Sequence, residues 1–232
     1  QVPMLGQHDW LRPIRTQGLR AQLVTLQDGE RAVRLTGLVH SQDREAVGDV
    51  SGMSFSTQLS IGRAVGLNPE VEPVKLSADA ASFDDSVIAT ACSLMSAQAP
   101  AEGYRLYQFS ALDDLRIILE MGLNLVVALG PELATSAIWD GIKLMLGSVR
   151  DKRHDLAPIP TTRLELVTPL PTGEVIAVID TPDIEIAREA LAAYSQAVEV
   201  AAKAAAQREV IAWTPLAGGG GIWLSTEKGQ KT

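Results

Sequence analysis

Residues 110–153 constrain the fold of this chain more than any other stretch. They read SALDDLRIILEMGLNLVVALGPELATSAIWDGIKLMLGSVRDKR. Ser110 with Asp113 three residues on matches a helix capping box, and Asp113-Asp114 suits the positive end of a helix dipole. Leu112, Leu115, Ile118, Leu119, Gly122 and Val126 then fall on one helical face. Gly130 ends this expected helix, and Pro131 opens a second that runs to about Val149 and closes on Arg150, Lys152 and Arg153. The expectation is an apolar helical hairpin that supplies much of the core. Spanning a bilayer takes about 20 nearly uncharged residues. The uncharged run between Glu120 and Glu132 is shorter and ends in Gly-Pro, so no membrane span is expected. Peripheral membrane contact is not expected either, because the chain carries a net charge of −8 and anionic lipid would repel it.

Around this hairpin the pattern is mixed. Pro3, Gly6, Pro13 and Gly18 suggest irregular chain over 1–18. Asp28-Gly29 between two β-prone runs predicts a hairpin pairing 19–27 with 31–40. Strict alternation in MSFSTQLSIG predicts a strand with Met53, Phe55, Thr57, Leu59 and Ile61 on one face. Val74–Leu76 reads as a short strand, and Ser82 or Asp84 as the start of a helix with Val87, Ile88, Ala91, Cys92 and Met95 inward. YRLYQF after Gly103 reads as a strand. Two more strands surround the Pro169, Pro171 and Gly173 loop. A last helix from Thr181-Pro182 carries Ile184, Ala187, Leu191, Tyr194, Val198, Ala201 and Ala205 at three- and four-residue steps, widened by alanines. IAWTPL predicts a final strand, and AGGGG a flexible hinge ahead of Ile222-Trp223-Leu224.

The fold class expected is α+β: an antiparallel or mixed sheet packed against an apolar helical hairpin and a long Ala-rich C-terminal helix. Pro158 and Pro160 mark a boundary between an N-terminal module, 1–157, and a β-β-α unit with a tail, 158–232, the two packed closely or continuous.

Few chemistries find their residues here. One cysteine, Cys92, allows no intrachain disulfide and no cysteine-based zinc site, and suits a reducing cytoplasm. His8, His40 and His154 lack metal-ligand spacing, so no metal and no cofactor is expected. His40 lies near Ser41 and Asp43, but GMSFS only half matches a hydrolase elbow, and Ser54 reads as a polar strand face. Asp84-Asp85 and Asp113-Asp114 read as helix starts rather than paired catalytic acids. Gly218–Gly221 has no following Lys-Ser/Thr, so it is not a phosphate loop. A pI of about 4.9 and a low aromatic content argue against nucleic acid as partner.

With no catalytic residues identified, the expected function is a non-enzymatic protein–protein interaction or self-assembly module, with self or another protein as partner. Its contacts are expected at Trp139, Ile142, Met145, Leu191, Tyr194, Val198 and Trp223. The alternative is a small-molecule sensor or an enzyme of unrecognised type, using His40, Asp43, Arg63, Tyr104, Arg105 and Tyr107 at strand ends or faces. A third reading, an accessory domain of a larger bacterial signalling or defence protein, is motivated by the absent initiator Met and the hinge-and-tail C-terminus.

Overall fold

The computed structural model describes residues 3–6, 9–25, 31–39, 53–65, 71–80, 82–108, 115–152, 162–181, 183–203 and 208–225. The chain divides into two units, residues 1–58 with 107–111, and residues 59–106 with 112–232. The first is antiparallel β-structure: β1 (Pro3–Gly6), β2 (Asp9–Thr25), β3 (Arg31–Val39) and residues 53–58 of β4 (Met53–Ala64). β2 pairs with β3 from Thr25↔Arg31 to Thr16↔Val39, as the Asp28-Gly29 turn predicts, although the turn itself lies outside the described residues.

The stretch expected to be irregular is strand instead. β2 starts at Asp9, and Pro13 is tolerated because among the described residues β2 has only β1 beside it there; pairing with β3 begins at Thr16. On such an edge a missing N–H breaks no ladder bond. The register shifts between Gln17 and Arg20, around Gly18, as a bulge does.

The second unit is α+β. Its elements are β5 (Val74–Asp79), α1 (Asp85–Met95), β6 (Ala101–Gln108), β7 (Leu115–Glu120), α2 (Leu123–Leu129), a 3-10 turn (Gly130–Thr135), α3 (Ala137–Lys152), β8 (Thr162–Leu170), β9 (Gly173–Asp180), α4 (Ile184–Lys203), β10 (Arg208–Pro215) and β11 (Gly221–Ser225). The sheet is mixed, in the order β11-β10-β9-β8-β7-β5-β6, with residues 59–64 of β4 beside β6. β8 pairs in parallel with β7, and the Pro158–Pro160 stretch between them lies outside the described residues.

One expectation is corrected here. The helix expected from Ser110 is absent over LRIILE, which forms β7; Ser110, Leu112, Asp113 and Asp114 lie outside the described residues. Six residues with adjacent Ile117 and Ile118 suit a pleated surface, and an apolar run of that length has no periodicity to separate strand from helix. Tertiary burial decides, because β7 lies between β5 and β8 with side chains buried on both faces. Helix resumes at Leu123, and Gly130 ends α2 with φ of +51°, a left-handed value that favours glycine. Pro131 opens the 3-10 turn. α3 begins only at Ala137, where the Ser136 hydroxyl accepts from the Trp139 amide at 3.5 Å in the manner of an N-cap.

A register-aligned row, Gly103, Leu76, Leu119, Leu166, Ala177 and Ile211, crosses the sheet on the side facing the helices. At one end a Cβ on Gly103 would sit 3.0 Å from Ile88 of α1. Near the other, Tyr194 of α4 donates to the Leu166 carbonyl at 3.4 Å. α1 and α4 therefore cover the same face. β5 and β9 point the same way, yet α1 carries the chain from β5 towards one edge and α4 carries it from β9 towards the other. The two crossovers consequently have opposite hands. One of them is left-handed, against the strong preference set by strand twist.

The opposite face is partly buried too. At its centre Arg116 of β7 and Glu165 of β8 form a two-pronged pair, both bonds 2.8 Å, with side chains 6% and 5% exposed. Breaking a buried pair strands a charge. Glu165→Ala should lower the unfolding free energy by about 3–5 kcal/mol. The double variant Arg116→Met/Glu165→Leu should recover most of that loss in urea titrations, because apolar groups of similar volume remove both desolvation costs.

Candidate functional site

An open apolar groove lies beside β11. Among the described residues β11 has one neighbour, β10, paired antiparallel from Ile211↔Ser225 to Pro215↔Gly221. The glycine run is a tight turn, not a flexible hinge. Gly218, Gly219 and Gly220 have φ of +128°, +99° and +72°, values that glycine alone adopts without strain. The turn closes through Leu216 N–H to the Gly220 carbonyl at 3.0 Å and Gly219 N–H to the Leu216 carbonyl at 3.2 Å.

This turn holds Trp223 directly opposite Trp213. Their rings meet edge-on at 5.2 Å, and Trp223 lies 6.0 Å from Tyr194 of α4. Both indole N–H groups are buried without an acceptor. Tyr194 is fully buried. Its hydroxyl bonds Thr168 at 2.9 Å, and burial holds it well above the ordinary tyrosine range.

Between α4 and the β10–β11 ribbon lies a groove of about 490 Å³, walled by Ala193, Ala197 and Val200 on one side and Ile211, Trp213 and Trp223 on the other. The alanines open it: larger side chains on that flank would fill the space. Val200 is 67% exposed at its rim. Strand parity turns the Ile222 and Leu224 side chains to the sheet's other face, where both are exposed; Ile222 also borders the groove, and Leu216 is exposed beside the turn.

A second, polar cluster sits on the face away from the helices. Tyr104 donates to Glu102 at 2.7 Å, and the Arg63 guanidinium approaches the same carboxylate at 3.6 Å. Next to them Lys75 bonds Glu120 at 2.6 Å. By accepting the Tyr104 hydrogen bond, Glu102 pushes that phenol up to about 12. Glu120 raises Lys75, and burial alone pushes the Cys92 thiol up to about 11. All three therefore hold their protons at neutral pH, which suits structural pairing better than acid–base work.

The expected site residues divide accordingly. Trp139, Ile142 and Met145 of α3 and Leu191, Tyr194 and Val198 of α4 are buried in the core of the second unit. Trp223 lines the groove. Arg63 and Tyr104 come together on Glu102. Arg105 lies on the helix face, where it is paired with Asp85 at the start of α1. His40 and Asp43 lie outside the described residues; Tyr107 falls in β6, with its side chain outside them. The residues that sequence reasoning missed are Glu102, Glu120 and Lys75. Strand parity was the available signal, since Glu102 and Tyr104 must share a face.

Among the described residues no group of three His, Cys, Asp or Glu side chains could hold a metal ion. Among the described residues no single helix is long and apolar enough to cross a membrane. One pair, Leu123–Thr135 with Ala137–Ser148, bent by 56°, passes by length and composition, but Val126, Leu133, Ile138 and Ile142 of that pair are buried in the core. Comparison with protein-family models, with curated proteins and with solved structures finds no match for this chain.

The groove depends on Gly221. A Cβ there would lie 2.5 Å from two atoms of the Trp213 ring and 2.8 Å from the Thr214 carbonyl. Gly221→Ala should cost about 1–3 kcal/mol through overpacking. Tryptophan emission should shift red as the Trp213–Trp223 contact loosens. Unchanged emission and melting would mean that this contact is not what orders the hairpin.

Proposed function

We propose that this chain is a non-enzymatic self-assembly module whose contact surface is the β11 edge with its adjoining groove. The observation that carries the reading is an edge strand that no described strand pairs with on its outer side. GIWLS has no charge, no proline and no bulge, the devices by which sheet edges ordinarily avoid pairing. Beside it the groove offers apolar surface with a polar rim of Gln196, Glu209 and Ser225, the anatomy of an interface core. The apolar helices and the small-residue flank of α4 form the layer that a partner copy continues. A single buried cysteine suits work in a reducing cytoplasm.

Sedimentation across a wide dilution series tests this. The expected mass is at least twice that of one 24.7 kDa chain, falling towards one chain on dilution. A concentration-independent monomer would reject the reading.

A second reading, a small-molecule sensor, is favoured by the convergence of Arg63 and Tyr104 on Glu102. A metabolite that binds there should raise the melting temperature. Tyr104→Phe should abolish that rise while leaving the unliganded melt within about 1 kcal/mol of the parent. A screen with no shift removes the reading.

A further inference from the structure

We infer that two copies of this chain join by antiparallel pairing of β11 with its equivalent, centred on Trp223, and that the outer flank of α4 in each copy roofs the shared groove. This rests on the self-assembly reading and specifies its geometry. The ladder between β10 and β11 settles which backbone groups of β11 it uses and which it directs outward. Leu216 N–H bonds the Gly220 carbonyl, and the register continues without a shift through Thr214↔Ile222 and Ala212↔Leu224. Antiparallel ladders alternate bonded and non-bonded pairs. Ile222 and Leu224 therefore spend their backbone groups on β10, whereas Gly221, Trp223 and Ser225 turn theirs to the open edge.

A two-fold axis through Trp223 satisfies all three. Trp223 pairs with Trp223 of the other copy, and Gly221 pairs with Ser225 in both directions. The same axis places Ile222 opposite Leu224 of the other copy on the face away from the helices, so the exposed apolar side chains, 44% and 47% accessible, cover one another. On the helix face the two Trp223 rings stand side by side, extending the aromatic contact with Trp213 and Tyr194. Such self-complementarity is what an isologous interface requires.

The occupant must be a second copy rather than an isolated peptide because of size. β11 has five residues, while a stable interface uses about 20–30 residues a side. The strand alone is too small. A second copy brings a strand and a helix in the same two-layer section, and only the two together fill a groove walled by both α4 and the ribbon. The exposed rim of Val200 with Ala193 and Ala197 then meets the equivalent flank of the other α4. The chain carries a net charge of −8, and the contact runs along a strand that carries none, where repulsion between copies is least.

The test uses the full chain. Ser225→Pro removes an outward N–H and places a ring on the open edge, while the Ala212↔Leu224 bonds to β10 remain. The expected result is loss of the dimer in sedimentation with the melting curve of the diluted parent retained. Independently, chains carrying Ile222→Cys are mixed with chains carrying Leu224→Cys under oxidation. In the inferred register these positions are a non-bonded pair about 4.5 Å apart at Cα, within disulfide reach. The mixture should cross-link and either variant alone should not, because like positions lie diagonally at about 7–8 Å. Cys92 is buried and does not interfere.

A dimer that survives Ser225→Pro and gives no cross-link in the mixture overturns this geometry but leaves self-assembly through another surface. A parent chain that is monomeric at every concentration overturns both. If Ser225→Pro fails to fold, the cysteine mixture decides alone.

Discussion

Leu115, Ile117 and Leu119 point from β7 into the helical layer, while Arg116 on the other face is locked to Glu165, and both sets are withdrawn from water. The second unit depends on this double burial. A strand covered on both faces must find hydrogen-bond partners on both edges, and β5 and β8 supply them. From β7 the chain passes through α2, the 3-10 turn and α3 to return parallel beside itself as β8. The helices that make this connection form most of the layer that the rest of the sheet packs against.

At its far edge, among the described residues, the same architecture closes on the β10–β11 ribbon. The α4 crossover adds β10 beyond β9, the glycine turn folds β11 back, and among the described residues the last strand of the sheet is β11, which carries no charge. The alanine-lined flank of α4 lies beside it. In the interior, small side chains let helix and sheet approach closely. At the edge, the same side chains leave a groove. A single sequence property, alanine at helical spacing, thus serves core packing at Ala187, Ala190 and Ala201 and exposes a surface at Ala193 and Ala197. The opposite hand of the α1 and α4 crossovers bears on this edge. A crossover of the α1 hand would place the last helix on the other face, away from Tyr194's partners Thr168 and Leu166.

Elements with strong local signals are legible in the sequence. The β2–β3 hairpin follows from Asp-Gly between β-prone runs, and β4 from its alternation. α1 follows from spacing and from Asp84 at its start, and β8–β9 from two apolar runs around a Pro/Gly loop. The site is legible only in part. Trp223 stands out beside its glycine run. Arg63 and Tyr104 stand out as candidate ligand groups, but their meeting on Glu102 needs β4 and β6 side by side. Leu191, Tyr194 and Val198 have the spacing of contact residues, and they are buried in the core of this unit. An amphipathic stripe has the same spacing whether it faces its own sheet or another molecule.

What the sequence determined by itself is whatever depends on neighbours a few residues apart or on composition: turn chemistry at Asp28-Gly29, helix starts and stops at Asp84 and Gly130, strand parity, and a single cysteine that permits no intrachain disulfide. What only the tertiary structure decided is whatever depends on burial from both sides. LRIILE became strand because β5 and β8 bracket it. Gly218, Gly219 and Gly220 became a tight turn because Trp213 and Trp223 pack beside it. Arg116 found Glu165 49 residues away. The physical reason is common to all three. Local propensities differ by about 1 kcal/mol or less per residue, whereas burying an apolar side chain or stranding a charge is worth several times that, so long-range contacts overrule them.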